Sequence, residues 1–574
     1  MTGLNAPVVS ELASKLDRKI QNVQVWMTGG LSPVALALAM TDWAWHVTGS
    51  PSTLTCLGLE CGLGAVNAAN AANAEASDDP RFSDPGWKLW PFVALERTHH
   101  LLEAWWDNAT HLRGMEHHHQ DVMHFLAHQW LGAASPSNVP WLNPAVLTAT
   151  VKTQGQNLLQ GMSLGMEDLQ RIWGIQPQPQ PSNYRPGVEV ACTPGDVIHR
   201  NHLVELIQYT PQTHQVQREP IFIVPSWIMK YYILDLSPVN SMVKYLVAQG
   251  HTVFMVSWRN PDESDALLDM EDYLKLGVLN PLAVITERTG GVPIHTVGYC
   301  LGGTLLAIAA AALANPKNLH ETHQIATLAS MTLLAAQLDF RDPGDLGVFL
   351  DEAQVALLED AMAETGYLSG QLMGSSFQLL KPRNFFWSEL VGKYWLGAPV
   401  INDDLSAWNA DVTRMPASMH SQYLHRFYLH NELAEGLFEV DGTPVSLEDI
   451  HLPIFALGTV KDHVTPWESA YKVMRLTRSA VTFGLTSGGH NAGVLSVPGT
   501  PFHSYQQLTT QADMHLDSPE SWRQKAPTFE GSWWSEWHRW LVQHGSGTVL
   551  ADQRAAADSL GPAPGHYVLV RYKD

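Results

Sequence analysis

Apolar positions along this 574-residue chain follow two rhythms, and the change between them marks its organisation. Over residues 8–48 they recur at helical spacing, with Leu12, Leu16, Ile20 and Val23 on one stripe. The stretch Asn70–Gly86 is polar and carries Pro and Gly, which predicts a loop or hinge. Residues 90–175 return to a helical pattern dense in aromatics and histidines. The Pro/Gln-rich run Gln176–Pro186 favours extended, polyproline-like backbone and places the main boundary there. A helical N-terminal domain over residues 1–187 and a second domain over 188–574 are expected.

Beyond that break, short β-branched and aromatic runs replace the helical stripes: Pro220–Val224, Thr252–Trp258, Ile294–Val297, Ala326–Ala336, Ile454–Gly458 and Val481–Leu485. Helical segments such as Val239–Gln249 and Leu301–Ala314 lie between them. Alternating strands and helices predict an α/β fold, with a parallel sheet covered on both faces. Strands buried on both sides need not alternate apolar and polar residues. The rhythm stops over about residues 340–451, a mainly helical, aromatic-rich interval read as an inserted cap.

Composition narrows the classes. With 34 Lys+Arg against 56 Asp+Glu the formal charge is −22, which argues against nucleic acid as main partner. Aromatic content argues against disorder. No apolar run approaches the roughly 20 residues of a membrane span; the best, Leu305–Ala314, is half that. The N-terminus lacks the basic-then-apolar order of a signal peptide, and four cysteines are too few for a disulfide framework. A soluble cytosolic protein is expected.

The chemistry concentrates at Ile294–Ala314, where an apolar strand enters Gly298-Tyr299-Cys300-Leu301-Gly302 and a small-residue helix follows. This resembles the nucleophile elbow of the α/β-hydrolase fold, with Cys in the place of Ser. Glycines flank the nucleophile because the tight turn leaves no room for side chains. The Leu301 N–H is one expected oxyanion donor. In this fold an acid and then a histidine follow, each after a late strand. Asp462 follows Ile454–Val460, and His490 sits in the glycine-rich loop after Val481–Leu485. Each alone reads equally well as an ordinary loop residue; with the elbow they make a Cys300–His490–Asp462 triad. His463 competes for the base role, but its place directly after the acid aims it away from the sheet edge.

These segments resemble the polyhydroxyalkanoate (polyhydroxybutyrate-type) synthases. The likeness rests on Pro225–Leu236, His251–Asp262, Gly298–Thr304 (GYCLGGT), Trp408–Arg414, Tyr428–Leu433, Asp462–Trp467, His490–Val494 and Ser532–Leu541, and covers about residues 85–545. It implies a single-subunit acyltransferase that polymerises (R)-3-hydroxyacyl-CoA and releases CoA. Cys300 would carry the acyl group, with His490 as its base. Asp462 would orient His490 and help activate the incoming 3-hydroxyl. The Ile228 N–H would complete the oxyanion hole with Leu301. The resemblance further implies a homodimer at the surface of cytoplasmic polyester granules, beside small phasin-like coat proteins. Two departures stand out: Met229 replaces the family's usual Asn, and the base loop reads Ser-Gly-Gly-His-Asn rather than Ser-Gly-His-Ile. A Cys-dependent esterase or thioesterase, and a weakly active granule-associated homologue, are the alternatives.

Other features read more plainly. His117-His118-His119 with His124 and His128 suggests a metal, but no Cys or carboxylate partner is evident. A solvated helical face is therefore expected, with no metal and no bound cofactor. Cys56 and Cys61 lack CxxC spacing, and core packing is the expected role of Trp533, Trp534, Trp537 and Trp540. Lys230, Arg259 and Arg414 are the cations available for CoA phosphates.

Overall fold

In the computed structural model the described residues are 32–69, 79–172, 184–315, 326–370, 383–398, 403–512, 514, 516–551 and 559–571. The stripe Leu12–Val23 lies outside them, as do residues 70–78 of the expected loop and 176–183 of the Pro/Gln break. The chain divides into two compact units, one of residues 1–180, 347–349 and 376–401, the other of the remainder. Residues 376–401, inside the interval read as a cap, thus cluster with the helical unit.

The helical unit contains α1 (Pro33–Thr48), α2 (Pro51–Ala69), α3 (Phe92–Thr110), α4 (His117–Ala133), α5 (Pro144–Lys152) and α6 (Gln156–Ile172). Capping sets several starts. Ser32 accepts from the Ala35 N–H with Pro33 at the first helical position, and Asn143 does the same for α5 before Pro144. Ala39, Leu112, Met115, Val122, Met123 and Val348 form a buried cluster, against which Trp43 and Phe125 pack. Trp43 also donates to the Ala109 carbonyl at 2.9 Å, joining α1 to the end of α3.

The second unit is built on a ten-stranded sheet. Its strands are β1 (Gly195–Arg200), β2 (Val204–Tyr209), β3 (Ile221–Val224), β4 (Val253–Trp258), β5 (Ile294–Tyr299), β6 (Leu328–Leu334), β7 (Ile454–Thr459), β8 (Val481–Thr486), β9 (Ser504–Thr510) and β10 (Thr528–Glu530). They lie in the order β1-β2-β4-β3-β5-β6-β7-β8-β9-β10. The six central strands, β4 to β8 in that order, are parallel; β1, β2, β9 and β10 are antiparallel to their neighbours. Those six are the six strands expected from the sequence. Every residue of β3, β4, β5, β7 and β8 is buried, which explains their unbroken apolar character. The helices α7 (Met242–Ala248), α8 (Asn280–Thr289), α9 (Leu301–Ala314) and α10 (Trp534–Gln543) follow or flank the strands. Helix α9 is buried from Leu301 to Ala312, and its alanines and glycines permit that close approach to the sheet. No helix among the described residues is long and apolar enough to cross a membrane.

The four tryptophans of the C-terminal segment are core, as expected. Trp533, Trp534 and Trp537 are fully buried, and each indole finds an acceptor: the Gly493 carbonyl, the Val494 carbonyl and Thr332 Oγ1. Two of those acceptors end the loop that carries His490.

Candidate active site

The site sits where β5 turns into α9. Cys300 has φ 52° and ψ −126°, a left-handed conformation that non-glycine residues adopt only under constraint. Backbone hydrogen bonds impose it. The Cys300 N–H donates to the Leu334 carbonyl at 2.9 Å, and its own carbonyl accepts from Gly303 at 2.9 Å. Sterics explain the glycines on either side. A Cβ at Gly298 would lie 2.7 Å from the Gly303 nitrogen; one at Gly302 would overlap the Val224 carbonyl and lie 2.6 Å from that of Pro225; one at Gly303 would lie 2.5 Å from Ala336 Cβ. Backbone cannot yield as a side chain can, so Gly302→Ala is expected to cost about 3 kcal/mol of stability. Thermal unfolding checks this, and a midpoint equal to the parent's would mean the turn is looser than its contacts imply.

Asp462 and His490 arrive on adjacent loops beyond the carboxyl ends of β7 and β8. The loops are tied together: Val460 N–H donates to the Thr486 carbonyl at 3.0 Å and Lys461 N–H to the Gly488 carbonyl at 2.8 Å. Gly488 takes φ +109°, and a Cβ at Gly493 would press on Thr459 at 2.8 Å, so this loop closes only with glycine at both places. Asp462 Oδ1 accepts the N–H groups of Val464 at 2.9 Å and Thr465 at 2.8 Å; Oδ2 accepts the Thr459 hydroxyl at 3.0 Å. Oδ2 also lies 2.8 Å from His490 Nδ1. Cys300 interacts electrostatically with His490 and favours its charged form. Asp462 and His490 therefore form a hydrogen-bonded line, with Cys300 coupled electrostatically to its histidine end.

Electrostatics follow from that line. Burial opposes charge on His490 most strongly, but Asp462 and Cys300 together outweigh it and hold the imidazolium pKa well above its ordinary range. Burial pushes the Asp462 carboxyl up; His490 and the two backbone N–H groups reverse that, and its pKa is lowered.

Leu301 and Ile228 are both buried, Leu301 at the start of α9 directly after Cys300 and Ile228 four residues after the end of β3. The Ile228 carbonyl accepts from Thr413 at 3.3 Å, and Met229 bridges to Val412, so the segment is pinned by Trp408–Arg414. His463 does not compete with His490: it is exposed, with Nδ1 3.9 Å from Asp345 Oδ2. Of the cations considered for phosphate, Lys230 is buried, with Nζ donating to the Val570 carbonyl at 2.5 Å. Arg259 pairs with Asp262 at 2.5 Å and Asp265 at 3.2 Å, and Arg414 lies over the Tyr367 ring.

Two kinds of residue escaped the sequence reading. Asn491, one of the base-loop departures, accepts the Tyr299 hydroxyl at 2.5 Å and thereby ties the residue after His490 to the residue before Cys300. Phe340 and Tyr423, both buried, and the half-buried Tyr428 form an aromatic group, with Phe340 and Tyr428 rings 4.9 Å apart and the two phenols 2.9 Å apart. Burial raises the pKa of both phenols, and the charge of Cys300 adds to it. Neither role has a local sequence signal, because each spans distant segments.

Comparison with known proteins identifies the family. A model described as poly-beta-hydroxybutyrate polymerase (PhaC) N-terminus matches residues 78–246, and one described as poly-beta-hydroxybutyrate polymerase N terminal matches residues 11–52. An alpha/beta hydrolase fold model matches residues 219–495. The chain is 38% identical to a poly(3-hydroxyalkanoate) polymerase of Methylorubrum extorquens over 499 residues, covering 86% of this chain and 81% of that one. It is 37% identical to a poly(3-hydroxyalkanoate) polymerase subunit of Rhizobium meliloti, covering 86% and 80%. With the corresponding subunit of Cupriavidus necator it shares 36% identity, covering 77% and 75%.

Proposed function

The chain belongs to the poly(3-hydroxyalkanoate) polymerase family, and from that membership we propose that it polymerises (R)-3-hydroxyacyl-CoA through an acyl thioester on Cys300. The observation that supports this most is sulfur at the elbow, coupled electrostatically to a histidine that is itself hydrogen-bonded to Asp462. His490 takes the Cys300 proton as sulfur attacks the acyl carbonyl. The N–H groups of Leu301 and Ile228 receive the negative charge that develops on the carbonyl oxygen. CoA leaves and takes its proton from His490. The 3-hydroxyl of an incoming unit then gives its proton to His490 and displaces Cys300 from the acyl carbon, forming an oxygen ester and restoring the thiol. Asp462, held charged by its donors, orients His490 through both steps.

Energetics favour sulfur here. Thioester-to-thioester exchange is nearly thermoneutral, so the acyl-enzyme keeps its reactivity for the ester-forming step. Water would compete at that step, and the aromatic group of buried Phe340 and Tyr423 with half-buried Tyr428 suits its exclusion. The product is insoluble and stays attached while it grows, so the enzyme collects at the surface of a cytoplasmic granule. The homodimer and phasin-like neighbours belong to the same proposal.

Purified protein given (R)-3-hydroxybutyryl-CoA should release CoA and deposit insoluble polyester. CoA release with only free acid would instead make it a thioesterase. No release with acyl chains of any length would leave a granule-surface role.

A further inference from the structure

The helical unit carries a group of histidines that acyl transfer does not use. His124 and His128 lie one turn apart on α4, and α3 brings Asp107 against both. Asp107 Oδ1 is 3.4 Å from His124 Nδ1 and hydrogen-bonds directly to His128 Nε2. One ligand atom from each residue falls within 4.8 Å of the other two. The imidazole rings of His124 and His128 are 4.3 Å apart, centre to centre. Sequence spacing displayed the two histidines but not the carboxylate, which comes from another helix.

We propose that Asp107, His124 and His128 bind a first-row transition-metal dication of the Zn2+ class, pinning the end of α3 to the middle of α4. Bonds of roughly 2.0–2.1 Å around a tetrahedral ion set neighbouring ligand atoms about 3.4 Å apart, and the Asp107–His124 separation already matches that edge. Two imidazoles with one carboxylate suit Zn2+, Co2+ or Ni2+; Mg2+ and Ca2+ prefer all-oxygen sets. His128 is buried while Asp107 is half-exposed, so the site is anchored inside and open to solvent for entry. The fourth position falls to water. The neighbouring His111 has its Nδ1 donating to the Asp107 carbonyl at 2.7 Å. A carbonyl only accepts, so that nitrogen holds the proton. A second cluster with similar spacing, Asp79, His100 and Glu103, differs in kind. The Arg81 guanidinium lies 2.6 Å from Asp79 and 3.0 Å from Glu103 and already supplies the positive charge a metal would bring.

The test uses the full chain, stripped by chelator, in a His117→Gln/His118→Gln/His119→Gln background that removes the neighbouring histidine run. Titration with Co2+ should give one equivalent with the visible ligand-field band of a four-coordinate ion, displaced by one equivalent of Zn2+. Asp107→Asn should weaken binding by at least about tenfold and His124→Gln by about 100-fold, with helical circular dichroism unchanged. The idea fails if Co2+ binds Asp107→Asn as tightly as its parent. It fails equally if binding vanishes with the His117/His118/His119 background alone, or if no band appears.

Discussion

Replacing Cys300 by Ala should lower CoA release by at least about 10,000-fold and leave no labelled acyl group on the protein, since removal of a nucleophile leaves only binding and oxyanion contributions. The fold should tolerate the change. The thiol is small, and the turn is held by the Cys300 N–H to Leu334 and by its carbonyl to Gly303, both backbone bonds that Ala keeps. Thermal unfolding should therefore move by about 1 kcal/mol or less. Cys300→Ser separates the two chemical steps. Its first step makes an oxygen ester and uses up the thioester's driving force; transfer to the next hydroxyl then exchanges ester for ester. That variant should release a burst of up to one CoA per chain and then stall, with the acyl group still attached. An adduct persisting in Cys300→Ala, or steady polymerisation by Cys300→Ser at the parent rate, would sink the assignment of Cys300.

What the sequence could disclose follows from how each element earns its burial. The six parallel strands stood out because both faces are covered, leaving apolar runs such as VFMVSW in β4. Strand β2, VELIQY, is just as buried but carries Glu205 and Gln208, and so escaped notice. Those polar groups are satisfied at long range. Glu205 bonds Arg200 and accepts the N–H groups of His566 and Tyr567, and Gln208 accepts from Arg288. Strand β9, SYQQLTT, is half-solvated towards the sheet edge and reads as a polar loop. The same division holds at the site. The positions of Cys300, Asp462 and His490 follow from local strand–turn patterns in a fixed chain order. The Tyr299–Asn491 tie, the Trp533 and Trp534 bonds behind the base loop, and the approach of Asp107 to His124 and His128 all join segments far apart in sequence. No periodicity records such pairs. Physical necessity does not make them local.

Asp462→Asn should reduce turnover by about 1,000- to 10,000-fold, and the reason lies in which hydrogen bonds an amide can keep. Asp462 Oδ1 accepts two backbone N–H groups, from Val464 and Thr465. Only oxygen can do so, so the carbonyl oxygen of the substituted amide must take that place and its NH2 must face His490. An NH2 donates, which forces His490 Nδ1 to accept and moves the ring proton to Nε2, towards Cys300. That tautomer cannot receive the thiol proton. The charge balance shifts in the same direction. With the carboxylate gone, burial dominates His490 and its pKa falls from its raised value. Stability should change with a definite pH dependence. Because the native His490 pKa is raised, its share of the pair's stability is complete below about 6.5 and fades as pH climbs through the raised value. Because the Asp462 pKa is lowered, its share is present above its ordinary value of 3.8 and fades as pH falls. The gap between parent and Asp462→Asn should therefore be widest between about pH 4 and 6.5, near 3 kcal/mol for loss of one partner of a buried pair, and should narrow towards alkaline pH. Thermal unfolding across that range and iodoacetamide alkylation of Cys300 at neutral pH, expected to slow at least about tenfold in the variant, measure the two effects separately. Retention of more than a tenth of parental turnover would show that His490 keeps its tautomer without Asp462.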